Sequence, residues 1–448
     1  KMNLLFYLLV FLLVLIVSST TNKLLPFLPM PLIQILLGIG IGLCLPNNQY
    51  HLDTELFLAL VIGPLLFREA QEADITSILK HWRIVLYLIF PVIFISALSM
   101  GGLAHVLWAS LPLAACVAVG AALGPTDLVA FASLSQRFSF PKRVSNILKG
   151  EGLLNDASGL VAFRMALIAW TTGTFSLTQA GTSLIISIIG GFAVGFITAL
   201  INRFLHTFLL SVRATDIASE LLLELSLPLL TFFIAEEIHV SGIIAVVVAG
   251  ILKASRFKKI NLLEAQVDTV TETVWQTVTF MLNGSVFVIL GMELEMIAEP
   301  ILKSAFYNKV LLLLSVFLLT FLLFAIRFVM IYGFYAFRIK KLHKSLDKYV
   351  KDMLLLTFSG VKGTVSIATI LLIPSNLEQE YPLLLFLVAG VTLVSFLTGL
   401  LVLPHLSEEK EPSKDQLMHI AILNDVAMEL EKDLENTKNK VPLYAAID

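Results

Sequence analysis

Thirteen apolar stretches follow one another with only short polar connections, near residues 3–19, 28–45, 54–70, 84–107, 110–134, 145–170, 182–210, 219–236, 240–254, 272–297, 308–337, 352–373 and 381–403. A helix needs about 20 apolar residues to cross a bilayer, and in lipid its backbone polar groups must be satisfied within the segment. The expected fold is therefore an all-α polytopic membrane protein with about thirteen transmembrane helices. A charged content of 14% agrees, since soluble domains carry about 25%. The first stretch, NLLFYLLVFLLVLIV, reads as a retained helix and not a cleaved signal peptide. No A-x-A-like site follows it, and Lys1 is its only positive flank.

Connections facing the cytoplasm carry the excess of lysine and arginine. With the N-terminus outside, the inward connections hold Lys23; Arg68, Lys80 and Arg83; Arg137, Lys142, Arg143 and Lys149; Arg203 and Arg213; Lys253, Arg256, Lys258 and Lys259; and a dense group from Arg338 to Lys351. The outward ones hold only Lys303 and Lys309. A miscounted helix would scramble this alternation. After Pro404 the sequence turns polar (SEEKEPSKDQ), so residues 1–404 read as one transmembrane domain and 405–448 as a cytoplasmic, partly helical tail. Cys44 and Cys116 both fall in apolar runs, which excludes a disulfide framework or a CxxC metal site.

Two stretches carry helix breakers at corresponding places. The fifth contains GPTD at 124–127 and the twelfth SGVKG at 359–363. Breaks seven stretches apart fit two inverted repeats, stretches 1–6 and 8–13, with the seventh as linker. Paired interruptions of this kind point to a transporter's binding site.

Ionisable residues inside a membrane are functional candidates by default. Here they are Asp127, Glu151, Asp156, Arg164, Arg327 and Lys362. Thr126, Asp127, Asn155 and Asp156 together supply hydroxyl, amide and carboxylate oxygens, a set suited to a hard cation. A carboxylate there can hold either a cation or a proton, and competition between the two is the minimal chemistry of an antiporter. Asp127 has an equal alternative as the cap of a half-helix. On the sixth helix Glu151 and Asn155 are i and i+4 and share a face, with Asp156 about 100° further round; Glu151 is then expected to meet Lys362. Arg327 is expected in a packing ion pair, Arg164 in a snorkelling or structural role, and Glu236 and Glu237 near the outer end of the eighth stretch. Glu69 either reaches the cavity or pairs with Arg68. His239 and His405 sit at the ends of their stretches.

GPTDLVA (124–130), GEGLLNDASGLVAF (150–163), HVSGIIAVVVAG (239–250), LNGSVFVILGMEL (282–294) and SGVKGTVSIA (359–368) resemble, in that order, the monovalent cation:proton antiporter family in its sodium/proton exchanger branch. The resemblance implies two inverted repeats with crossed, discontinuous helices at stretches 5 and 12, assembled as a homodimer. It implies Asp156 as the Na⁺-binding carboxylate, Asn155 as its partner, and Thr126 and Asp127 as crossover residues. Glu151 would be a structural acid facing a basic residue on the second crossed helix, usually arginine and here Lys362. IGPLLFREA (62–70) is similar to a looser pattern in which an acid follows Leu-Phe directly; here Arg68 intervenes before Glu69.

The expected activity is exchange of a monovalent cation (Na⁺, K⁺ or Li⁺) for H⁺ by alternating access. It is electroneutral and one-for-one if Glu151 keeps Lys362 charged, and no enzyme chemistry is expected. An intramembrane aspartyl protease using Asp127 and Asp156 is the alternative of another class, but neither aspartate sits in a G-x-G-D context. A cation channel would want rings of oxygens along an open pore. The expected partners are the bilayer of the cell membrane, the cation and the proton, with no cofactor and no nucleic acid.

Overall fold

The computed structural model describes residues 2–25, 30–44, 54–127, 130–131, 138–173, 177–212, 216–254, 262–303, 308–342, 349–370, 372–373 and 381–407. Their regular structure is almost wholly helical: α1 (Met2–Leu24) and α2 (Met30–Cys44); Thr54–Phe57 and a π turn, Leu58–Ile62, leading into α3 (Gly63–Glu72); then α4 (Trp82–Leu107), α5 (Leu113–Ala122), α6 (Lys142–Gly152), α7 (Asn155–Thr172), α8 (Leu177–Ser211), α9 (Ile217–Glu237), α10 (Gly242–Ala254), α11 (Leu262–Lys303), α12 (Lys309–Leu342), α13 (Val350–Phe358), α14 (Thr364–Ile370) and α15 (Tyr381–Leu406). Apart from the fifth, each apolar stretch of the sequence overlaps a helix or an interrupted pair among the described residues. Residues 408–448, all but the first three of the expected tail (405–448), lie outside the described residues, as does most of the fifth stretch beyond Asp127.

Among the described residues, six stretches are long and apolar enough to cross a membrane unbroken: Trp82–Leu107, Gly181–Leu209, Ile217–Glu237, Thr269–Glu295, Lys309–Arg338 and Tyr381–Leu406. Large apolar side chains stand exposed along α8, from Ile185 to Phe208, and along α12, from Val310 to Phe337. Such belts suit lipid and not water. Against one another the helices pack through small residues, as membrane helices do. A methyl on Gly38 of α2 would strike the Val288 carbonyl of α11, and one on Gly291 would strike the Ile35 carbonyl of α2.

The structure is more broken than expected. The sixth stretch is not one helix: α6 ends at Gly152 and α7 starts at Asn155. Two π turns, Leu58–Ile62 and Leu88–Val92, lie beside Pro64 and at Pro91. Proline has no N–H to donate, and the wider turn absorbs the lost helical bond. The second π turn also meets α7, since the Ser158 hydroxyl donates to the Ile89 carbonyl at 2.9 Å.

Candidate functional site

Helix α5 stops at Ala122 because Pro125 lacks an N–H and drives the residue before it away from helical geometry. The chain from Gly124 to Asp127 runs free of helix, as does Gly360–Gly363 between α13 and α14. The two unwound segments join backbone to backbone, with the Asp127 N–H donating to the Val361 carbonyl at 3.0 Å. Glycine is needed where they cross. A methyl on Gly363 would land on the Asp127 carboxylate, and one on Gly360 on the Arg327 guanidinium.

Lys362 is buried at this crossing and ties it together. Its Nζ donates to the carbonyls of Gly124 at 2.8 Å and Pro125 at 2.6 Å, groups that the broken helix leaves without intrahelical partners. Its backbone N–H donates to Ser395 Oγ of α15 at 3.2 Å. The expected ion pair between Lys362 and Glu151 is not formed. Glu151 instead receives Arg327 of α12, with Nη1 on Oε1 at 2.6 Å and Nη2 on Oε2 at 2.8 Å, while Arg327 Nε donates to the Leu356 carbonyl at 3.0 Å. A planar guanidinium matches both carboxylate oxygens at once, which an ammonium cannot do. Arg327 is thus in the packing ion pair expected of it, and its partner is the acid assigned to Lys362.

Thr126 links the two halves of the site. Its hydroxyl donates to Glu151 Oε1 at 3.2 Å and accepts from Asn155 Nδ2 at 2.7 Å; the same Nδ2 reaches the Thr126 carbonyl at 2.9 Å. Asp127 Oδ1 accepts the Ala130 N–H at 3.0 Å, the geometry of a cap on the residues that follow. With its amide nitrogen committed to Thr126, Asn155 is left with a buried Oδ1 that has no partner among the described residues.

Asp156 lies beside it in the first turn of α7 and is only 4% exposed. Its Oδ1 is likewise buried without a partner among the described residues, and Asp127 and Lys362 are charged side chains near enough to act on it. The unsatisfied N–H groups of a helix start favour negative charge there. Two orphaned oxygens on adjacent residues call for a ligand, because buried polar atoms are nearly always satisfied. A proton or a small hard cation fits an acceptor-only pair.

The other candidates lie elsewhere. Glu69, on α3, is half-buried and senses Lys149 of α6. It does not pair with Arg68, whose guanidinium is taken by Glu72 at 2.8 Å and Glu272 at 2.5 Å. Arg164 pairs with Glu236 at 3.6 Å near the surface. Ser158 was not anticipated: a lone serine in an apolar run gives no sign that a π turn on another helix will need its hydroxyl.

The transmembrane model of the sodium/hydrogen exchanger family matches residues 8–408 of this chain. The sodium, potassium, lithium and rubidium/H⁺ antiporter of Bacillus pumilus is 33% identical over 431 residues, covering 95% of this chain and 62% of that protein. Its namesake in Bacillus subtilis is 35% identical over 415 residues, covering 91% of this chain and 62% of that protein. The chain therefore spans less than two thirds of the length of these relatives. In fold it is similar to the sodium proton antiporter MjNhaP1 of Methanocaldococcus jannaschii, with a TM-score of 0.65, 17% identity, and coverage of 90% of this chain and 98% of that one.

Proposed function

This chain belongs to the sodium/hydrogen exchanger family, and from that premise we propose that it exchanges a monovalent cation for a proton across the cell membrane by alternating access. The observation that carries the reading is the pair of orphaned oxygens, Asn155 Oδ1 and Asp156 Oδ1, buried beside two crossed, unwound segments. In this mechanism the Asp156 carboxylate holds H⁺ in one half-cycle and the cation in the other. Asn155 Oδ1 and the oxygens of Thr126 and Asp127 complete the cation's shell as water is shed.

Lys362 holds the two broken segments in register, and the Glu151–Arg327 pair anchors Thr126, through which Asn155 is aimed. Only Asp156 trades its charge, so exchange is one-for-one and electroneutral. Arg327 opposes the charge on Lys362, while Glu151, Asp156 and Asp127 favour it. Sodium is the first cation expected; the Bacillus relatives are named for potassium, lithium and rubidium as well. The N-terminus faces out, the tail faces the cytoplasm, and the protein works as a homodimer. The test is dequenching of an internal pH dye in proteoliposomes given Na⁺, K⁺, Li⁺ or Rb⁺. Cation-dependent proton efflux supports the reading; its absence with all four cations contradicts it.

A further inference from the structure

The far end of α6 from the site carries a side chain that the mechanism above does not use. Arg143, in the first turn of α6, is half-buried and lies over two rings that other helices supply. Its guanidinium carbon is 5.2 Å from the ring centre of Tyr335 of α12 and 5.1 Å from that of Tyr349, the residue that precedes α13. The two rings also meet each other, with centroids 5.8 Å apart. Asp352, in the first turn of α13, is near enough to feel the Arg143 charge. An arginine at a membrane surface ordinarily snorkels toward the headgroups. This one lies instead against a ring that is only 2% exposed, and a guanidinium over aromatic faces is held more strongly where water is excluded.

These contacts join the same three helices that the Glu151–Arg327 pair joins. Arg327 of α12 holds Glu151 of α6 and the Leu356 carbonyl of α13. Arg143 of α6 holds Tyr335 of α12 and Tyr349 beside α13. From Arg143 to Glu151 is eight residues, and from Tyr335 back to Arg327 is also eight, so each path covers about 12 Å of helix. The two helices run antiparallel, and their matched spacing lets a clasp close at each end of α6. That helix has only 11 residues and ends at the break before Asn155. A slip of one residue would shift it about 1.5 Å and turn it about 100°, taking Glu151 out of its two-point contact with Arg327.

We propose that Arg143 is a positioning residue for cation binding. Clasped by Tyr335 and Tyr349, it fixes α6 against α12 and α13, and through Glu151 and Thr126 it sets the aim of Asn155 at the cation. Arg143 itself touches no transported ion. The inference rests on the exchange reading.

The experiment titrates Na⁺ against proton flux in proteoliposomes for wild type, Arg143→Gln, Arg143→Lys, Tyr335→Leu and Tyr335→Phe. Arg143→Gln and Tyr335→Leu are expected to raise the KM for Na⁺ severalfold, with a smaller change in maximal rate. Arg143→Lys keeps a cation over the rings and Tyr335→Phe keeps the ring face, so each should recover most of that loss. Tyr335→Leu leaves the charge in place and reads the same contact if Arg143→Gln does not fold. An unchanged KM in folded Arg143→Gln or Tyr335→Leu overturns the proposal, as does a fall in maximal rate alone without rescue by the conservative changes. A second measurement is independent of transport: the melting temperatures in detergent of Arg143→Gln, Glu151→Gln and the double variant. If one clasp sets the register of the other, the double variant should lose less than the sum of the single losses. Additive losses overturn the positioning role whether or not the protein exchanges ions.

Discussion

The Glu151 carboxylate lies fork to fork with the Arg327 guanidinium, at 2.6 and 2.8 Å, and both side chains are buried. A single helical turn of the sixth stretch is thereby fastened to α12, and Thr126 is fastened to both through Glu151. Breaking a buried pair strands a charge and costs about 3–5 kcal/mol. Arg327→Ala should therefore lower the melting temperature sharply in detergent. Replacing both partners with apolar residues, Glu151→Leu with Arg327→Met, should recover part of the loss. Equal destabilisation by the single and double changes would count against the pair as the anchor.

Gly363 sets a second expectation. Because a methyl there would overlap the Asp127 carboxylate, Gly363→Ala should displace the Asp127–Val361 backbone bond and abolish most exchange. Gly40, which a methyl would leave uncrowded, provides the control as Gly40→Ala. Normal flux in Gly363→Ala would mean that the crossing tolerates a looser geometry than the structure has.

Lys362 decides the charge balance. Lysine can lose its proton when buried, and arginine does not. If only Asp156 titrates during the cycle, voltage clamped with K⁺ and valinomycin should leave the Na⁺-driven proton flux unchanged, and Lys362→Arg should stay active. A steady dependence of rate on voltage would mean that Lys362 releases a second proton.

Orientation is open to chemical labelling. In a background lacking Cys44 and Cys116, a cysteine at the exposed Asn308 should react with an impermeant thiol reagent added to intact cells. One at the exposed Lys351 should not. The reverse pattern would invert the topology.

The spans and two of the breaks were legible because hydropathy and the Gly-Pro chemistry of GPTD and SGVKG act locally. The break at Leu153–Leu154 was not: leucines carry no turn signal, and tertiary bonds from Asn155 to Thr126 and from Ser158 to Ile89 hold the chain there instead. Asp156 and Asn155 stood out as polar residues in an apolar run. Which base would meet Glu151 could not be read, because Arg327 and Lys362 both lie far from it in sequence and only packing brings α12 against α6. Pro91 in the fourth stretch was a visible sign of the π turn that contains it.

The most direct test of the account is Na⁺-driven proton flux through reconstituted Asp156→Asn. The amide keeps the shape of the side chain but can neither release a proton nor neutralise a cation. With the variant folded, shown by an unchanged melting curve and a single peak in gel filtration, the account predicts wild-type exchange and no Na⁺-dependent flux in the variant. Substantial flux through folded Asp156→Asn would contradict it.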